Sequence, residues 1–209
     1  MEYVAQGVPL WSVTIWDKKF TGIDRSWQVS TKKYKYLLSA ELDAMNTGGD
    51  VFLLYTGKDE GFTTEELAGD AISEGEVVSI PWGGTPSVKY HKGKFVTGDN
   101  RIATSNRPQE LLNRYLYYYM KGRLQEIASY YRGAGLKHPS MKSILGMKIS
   151  YPTVVRQEAI IAQFDSIESA LEVCKKQIEK YDELVKSRFI EMFGNPDENS
   201  KSFETKSGS

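Results

Sequence analysis

Twelve cationic side chains fall within residues 78–150, where only three carboxylates accompany them. They are Lys89, Lys92, Lys94, Arg101, Arg107, Arg114, Lys121, Arg123, Arg132, Lys137, Lys142 and Lys148. Tyrosines are interleaved with them at 90, 115, 117–119, 130 and 131. Cations mixed with aromatics and small polar groups suit a surface that follows a phosphate backbone. Residues 36–77 are the mirror image, with Lys58 alone against ten carboxylates. A bland alternative therefore stands beside the first reading: the two blocks fold against each other and neutralise. A linear charge run does not say which face its side chains occupy, so both stay open.

Catalytic chemistry has few candidates. One cysteine, Cys174, excludes an internal disulfide framework and a multi-Cys metal site, and two histidines leave little for a His-based metal centre. Gly83-Gly84-Thr85 lacks the Lys-Ser/Thr of a phosphate-binding P-loop and reads as a turn. No Gly-x-Ser-x-Gly elbow occurs, and no Asn/Asp-Pro-Pro-aromatic motif of an amino-methyltransferase. His138, in Lys137-His138-Pro139, is placed to touch a phosphate or a base, or to hold its loop; it is also the sole candidate for a hydrolase reading. His91 sits in Tyr90-His91-Lys92-Gly93-Lys94, which reads as an exposed hairpin tip. The acidic stretch 60–76 has no calcium-loop spacing; Glu65-Glu66 fits a helix start capped by Thr63 or Thr64.

The elements that must position these residues can be read coarsely. With 209 residues, 40% apolar, the chain buries a core. Val51–Tyr55 and Val77–Ile80 read as strands, the second stopped by Pro81 and Gly83-Gly84. Lys94–Val96 and Ile102–Thr104 are weaker strands. Residues 109–120 read as a helix after Pro108, Ser140 as a cap for a helical turn, and Met147–Tyr151 as a closing strand. From Arg156 to Phe193 there is no Pro or Gly. Ile160, Phe164, Ile167, Leu171, Cys174, Ile178, Tyr181 and Val185 recur at alternating steps of four and three, a heptad seam that needs a partner helix. Cys174 on that seam reads as a small buried thiol. The expected architecture is α+β: a mixed α/β domain at 1–152, one long protruding coiled-coil-forming helix at 153–194, and a disordered tail at 195–209. The longest apolar run, Val51–Tyr55, is too short to span a membrane, and the N-terminus lacks signal-peptide blocks, so the chain reads as soluble and cytoplasmic.

Several segments resemble one family. They are Trp11-Ser12-Val13-Thr14 with Phe20, Gly49–Gly57, Ile80-Pro81-Trp82-Gly83-Gly84, Lys92–Val96, Asp99–Ser105, Tyr130–Gly133 and Leu136–Met141. The junction is the most specific: Ile149-Ser150-Tyr151-Pro152, Gln157, Ile160-Ile161, Phe164–Ile167 and Lys186–Gly194. Together they are similar to the target recognition domain and long helix of type I restriction–modification specificity subunits. The resemblance implies a non-catalytic α/β domain that reads half of a bipartite site in double-stranded DNA. It implies paired long helices that set the distance between two such domains. It assigns S-adenosylmethionine and adenine methylation to modification subunits and cleavage to a restriction subunit, so no cofactor is expected on this chain. The family's members commonly have two recognition domains and two helices. One of each here leaves a half-subunit that dimerises through its helix, or a piece of a longer chain.

On that reading the candidate DNA contacts are Lys58, Lys89, Lys92, Lys94, Asn100, Arg101, Arg107, Arg132, Lys137 and His138. Arg and Lys donate to guanine, and Asn100 or Gln109 would pair with adenine. A two-fold dimer would read a palindromic split site. The alternative function is a protein-interaction adaptor that uses the long helix without touching DNA.

Overall fold

A computed structural model describes residues 3–18, 20, 31–57 and 60–195. In chain order its elements begin with β1 (Tyr3–Pro9), β2 (Thr14–Trp16), α1 (Ser39–Ala44), β3 (Val51–Leu54), β4 (Gly61–Thr63) and α2 (Glu65–Ala68). Then come β5 (Ser73–Pro81), β6 (Lys89–Thr97), β7 (Asn100–Ser105), α3 (Asn113–Gly122) and α4 (Leu124–Ser129). The chain continues through β8 (Tyr131–Arg132), β9 (His138–Pro139), α5 (Met141–Gly146), β10 (Lys148–Pro152) and α6 (Val154–Phe193). The mixed α/β domain followed by a long helix is the expected α+β class.

A six-stranded sheet in the order β2-β7-β5-β6-β3-β4 organises the domain. Its pairs are antiparallel except β3 with β6. Val78, Ile80 and Ala103 alternate onto one face and pack with Leu111, Leu116 and Met120 from α3 and its approach, Ile127 from α4 and Ile144 and Leu145 from α5. Val51, Leu53 and Val96 pack instead with Leu42 of α1 and Ala68 of α2. Such burial of complete aliphatic side chains, worth about 1.5–3 kcal/mol each, holds the helices on the sheet. Thr64 caps α2 by accepting the Leu67 N–H, with Glu65 and Glu66 in the first turn, where carboxylates oppose the partial positive charge of the helix end.

Two glycines are paired within the sheet. Gly75 and Gly93 face each other in the β5–β6 register, at φ of 154° and 127°. Side chains rarely tolerate these backbone angles, which glycine adopts freely. The Gly98-Asp99 turn lies against two other segments. Gly98 N–H donates to Leu54 O at 3.0 Å, and Trp82 N–H donates to Asp99 O at 2.9 Å. This corrects the hairpin-tip reading of 90–94. His91 lies inside β6, half-buried, stacked on Phe52 with ring centroids 4.6 Å apart. Burial there pushes its pKa below the ordinary histidine range.

β1 pairs with β10 across nearly the whole domain, Tyr3 opposite Pro152 and Val8 opposite Ile149. The first turns of α6 are tied to the same region. Gln157 is fully buried; its Oε1 accepts the Leu112 N–H at 3.0 Å, while its Nε2 donates to Glu110 O at 2.6 Å and Pro152 O at 2.8 Å. That tie explains why the expected helix at 109–120 starts only at Asn113. Glu110 and Leu111 form a turn on Arg107 O, and Leu112 is extended so that its N–H meets Gln157. The chain divides into units 1–161 and 162–209, so the division falls within α6. The helix ends at Phe193, with Gly194 at φ 82° donating to Ile190 O, a common glycine stop. The disordered-tail expectation concerns residues that, from 196 on, lie outside the described ones.

Candidate nucleic-acid interface

Cations of β6 and β7 stand beside acids to different degrees. Lys92 is in register with Glu76 and Lys94 with Glu74 across the β5–β6 ladder, but Lys92 is exposed and makes no ion pair among the described residues, and the Glu76 carboxylate accepts from the Tyr90 hydroxyl at 2.7 Å. Lys94 Nζ also pairs with Glu65, and that hydrogen bond holds the ammonium above the ordinary lysine range. Arg101 is the extreme case. It is 1% exposed and bridges Asp17 Oδ2 at 2.8 Å and the Asp99 carboxylate. Asp17, also buried, accepts from the Ile102 N–H at 3.0 Å and the Tyr36 hydroxyl at 2.7 Å. Desolvation raises the Asp17 pKa; Tyr36, Arg101 and the Ile102 N–H oppose the rise. The same burial, with Asp17 beside it, pushes the Tyr36 phenol up.

Two expected contacts are therefore corrected. Arg101 is enclosed between Asp17, Asp99 and the ring faces of Trp82 and Tyr36, 4.7 Å and 5.3 Å from its Cζ. Asn100, also 1% exposed, spends its Nδ2 on Leu54 O and Thr97 Oγ1. Neither presents a donor to a duplex. Their signal in sequence, a cation and an amide beside a Gly-Asp turn, belongs to a structural network whose acid, Asp17, lies 84 residues away.

The β8–β9 hairpin differs. Arg132 is exposed, and its guanidinium donates to backbone carbonyls of Ser129 and Tyr131, not to a carboxylate. Lys137 is exposed and has no partner among the described residues. Gly133, at φ 141°, makes the turn; a Cβ there would sit 2.5 Å from Leu136 O. The hairpin is fixed to the β5–β6 loop by Gly84 N–H donating to Lys137 O at 3.2 Å. His138 Nδ1 bonds Trp82 O at 2.7 Å, with the two rings 5.4 Å apart. Gly83 permits this approach, since a Cβ would come within 3.1 Å of Leu136 and 3.3 Å of His138.

The loop after β3 reaches the same place. Thr56, Gly57, Gly83, Gly84, Thr85, Ser87 and Leu136 line a recess of about 530 Å³. Ser87 Oγ is buried with no hydrogen-bond partner, an unsatisfied polar atom at its wall. Lys89 Nζ donates to Tyr55 O at 2.9 Å beside this loop. The structure thus brings Lys89, Lys137 and His138 to one loop cluster, with Arg132 directly opposite His138 in the hairpin. Arg107 lies elsewhere, on the approach to α3, exposed and 3.5 Å from Glu110. Lys58 lies outside the described residues. Sequence reasoning missed the roles of Trp82, Ser87 and Leu136 here; the Gly83-Gly84 pair was the available signal, and it was legible only as a turn.

Among the described residues, no group of three or more His, Cys, Asp or Glu is placed to hold a metal ion. No helix among them is long and apolar enough to cross a membrane.

The seam of α6 is open in the single chain. Exposure runs from 45% at Phe164 through 53% at Ile167, 57% at Leu171, 61% at Ile178 and 66% at Tyr181 to 67% at Val185. Ile160 is half-buried. Cys174 is a free, exposed thiol, which corrects the buried-thiol expectation for one chain; Gln157 is the buried residue of this helix. At about 1.5 Å per residue, its 40 residues extend about 60 Å.

The domain combines a six-stranded mixed sheet with a loop cluster at the β8–β9 hairpin, and α6 carries an apolar seam that is exposed in the single chain. The model of the type I restriction modification DNA specificity domain matches residues 31–180, and the chain belongs to that family. Among solved structures it is similar to the type I restriction–modification system S subunit from M. genitalium. The two share 18% identity and a TM-score of 0.60, covering 93% of this chain and 47% of that one. A second structure, described as the structural basis of complex assembly and conformational transition of the type I R-M system, gives 15% identity and a TM-score of 0.53 over 86% of this chain and 42% of that one. At these identities the likeness is one of fold. The chain spans about half the length of the structures it matches. No curated protein matches it.

Proposed function

We propose that this chain supplies DNA sequence recognition to a type I restriction–modification complex. It reads one half of a bipartite site in duplex DNA and catalyses no reaction itself. Family membership over residues 31–180 carries the reading. The loop cluster supports it locally, because Arg132 and Lys137 keep cationic charge without a carboxylate partner. On this reading methyl transfer and cleavage belong to modification and restriction subunits, in the cytoplasm. The proposed contacts are Lys89, Arg132, Lys137 and His138, with Lys58 and Arg107 flanking, Lys92 set opposite Glu76 and Lys94 weakened by its pairing with Glu65. The proposed organisation is a recognition domain at 1–152, a spacer helix at 153–194 and a tail from 195.

The seam of α6 from Ile160 to Val185 pairs with a second helix of the same kind. In a homodimer that helix comes from another copy, and two identical readers then give a palindromic split site. A selection from random duplexes, run with and without modification subunit, tests the DNA reading. A split motif enriches if it holds; its absence under both conditions contradicts it. Solution mass tests the pairing. Leu171→Lys with Ile178→Lys places two charges on the seam and converts a dimer to a monomer.

The adaptor reading draws on the same helix and on the β5–β6 face, where acids stand opposite the lysines. Arg132→Glu with Lys137→Glu separates the two, since an adaptor's DNA retention does not change.

A further inference from the structure

We propose that His138 is a specificity-determining hydrogen-bond acceptor that takes an exocyclic amino group of a DNA base. The inference rests on the DNA reading above and names what one residue of that surface recognises.

Its basis is the partner of the other ring nitrogen. Nδ1 lies 2.7 Å from Trp82 O, and a carbonyl oxygen only accepts, so Nδ1 carries the proton. In the neutral ring Nε2 is then the lone-pair nitrogen. Nε2 has no partner among the described residues, and it is not among the side-chain atoms sealed from solvent without one. The ring is held in place. It packs on Trp82, whose own ring rests on the Arg101 guanidinium 4.7 Å away, and Arg101 is locked by Asp17 and Asp99. The hairpin beneath it is pinned by the Gly133 turn and the Gly84 N–H bond to Lys137 O.

A fixed acceptor cannot receive a hydrogen bond from a phosphate oxygen, which is itself an acceptor. The donors a duplex offers in its grooves are the amino groups: adenine N6 and cytosine N4 in the major groove, guanine N2 in the minor. Arg132, directly opposite in the hairpin, and Lys137, next in sequence, supply the phosphate-facing charge that brings such an edge within reach. His138 therefore discriminates by chemistry that the neighbouring cations do not have.

The test pairs deletions on both sides of the contact. The duplex selected by the wild-type protein is remade with one amino group removed at a time: purine for adenine, 2-pyrimidinone for cytosine, hypoxanthine for guanine. Wild-type protein is expected to lose about tenfold in affinity at one position, the scale of a single base-edge hydrogen bond. His138→Ala is expected to bind the parent and that analogue alike. His138→Gln, whose amide oxygen also accepts, is expected to keep part of the discrimination. A wild-type protein indifferent to every amino deletion overturns the inference, as does a loss that persists unchanged in His138→Ala. A motif that enriches without amine dependence overturns this inference alone; no motif at all overturns the DNA reading with it.

Discussion

The β6–β7 strands and the β8–β9 hairpin both carry cations, and they end in opposite electrostatic states. Lys92 and Lys94 stand in register with Glu76 and Glu74, and Arg101 is buried between two aspartates. Arg132 and Lys137 have no carboxylate beside them. The difference comes from pairing. A strand in mid-sheet presents each residue to a fixed neighbour, so β5 sets a carboxylate opposite each of these lysines, and Lys94 is held further by Glu65. In the hairpin Arg132 stands opposite His138 and Lys137 lies next to it in sequence, neither paired with a carboxylate, so the pair keeps its field, which attracts a polyanion.

The largest expected effect concerns the buried end of the first region. Asp17→Ala leaves Arg101 desolvated with Asp99 as its remaining acid, and it orphans the Ile102 N–H. Urea unfolding is expected to show a loss of about 3 kcal/mol, the low end for breaking a buried pair. A loss under about 1 kcal/mol would mean that this network does not anchor the Trp82 side of the sheet.

A second experiment makes the two regions alike. Replacing Glu65, Glu74 and Glu76 by Gln unmasks Lys92 and Lys94. Non-specific DNA binding is expected to strengthen, with the log–log salt slope steeper by at most about two units, one per freed lysine. An unchanged slope would show that these lysines face away from any duplex, whatever their partners.

The smallest effect is a pH dependence within β6. His91 has its pKa lowered by burial, so the unfolded chain takes up a proton at a higher pH than the folded one does. The unfolded state then binds more protons, and stability falls as pH drops through the unfolded value of about 6.5 toward the folded one. His91→Phe, which keeps a ring against Phe52, is expected to show a shallower fall between about pH 7 and pH 5.5 in urea titrations. An identical fall in both proteins would assign the dependence to other groups.

Much of this contrast was readable in the sequence, though not its assignment. The opposite charges of 36–77 and 78–150 offered both mutual neutralisation and a free basic surface, and the molecule contains each in a different place. The long helix was legible because a seven-residue seam without Pro or Gly has few other solutions. Asp17 was not legible as the partner of Arg101, nor Gly75 as the partner of Gly93. The first joins segments 84 residues apart and the second depends on the register of the β5–β6 pair, neither of which a local pattern encodes. The start of α3 was misplaced for a similar reason: Gln157, 45 residues on, takes the Leu112 N–H that a longer helix would have used.

The central claim is that DNA is met by the hairpin, whose cations have no carboxylate partner, and not by the strands, whose lysines stand opposite acids. Two double variants, Arg132→Glu with Lys137→Glu and Lys92→Glu with Lys94→Glu, bear on it directly through their DNA affinity at fixed salt. The account predicts a loss of tenfold or more for the hairpin pair, a flatter salt slope with it, and a change of less than about threefold for the strand pair. Equal losses, or a loss confined to the strand pair, would contradict it.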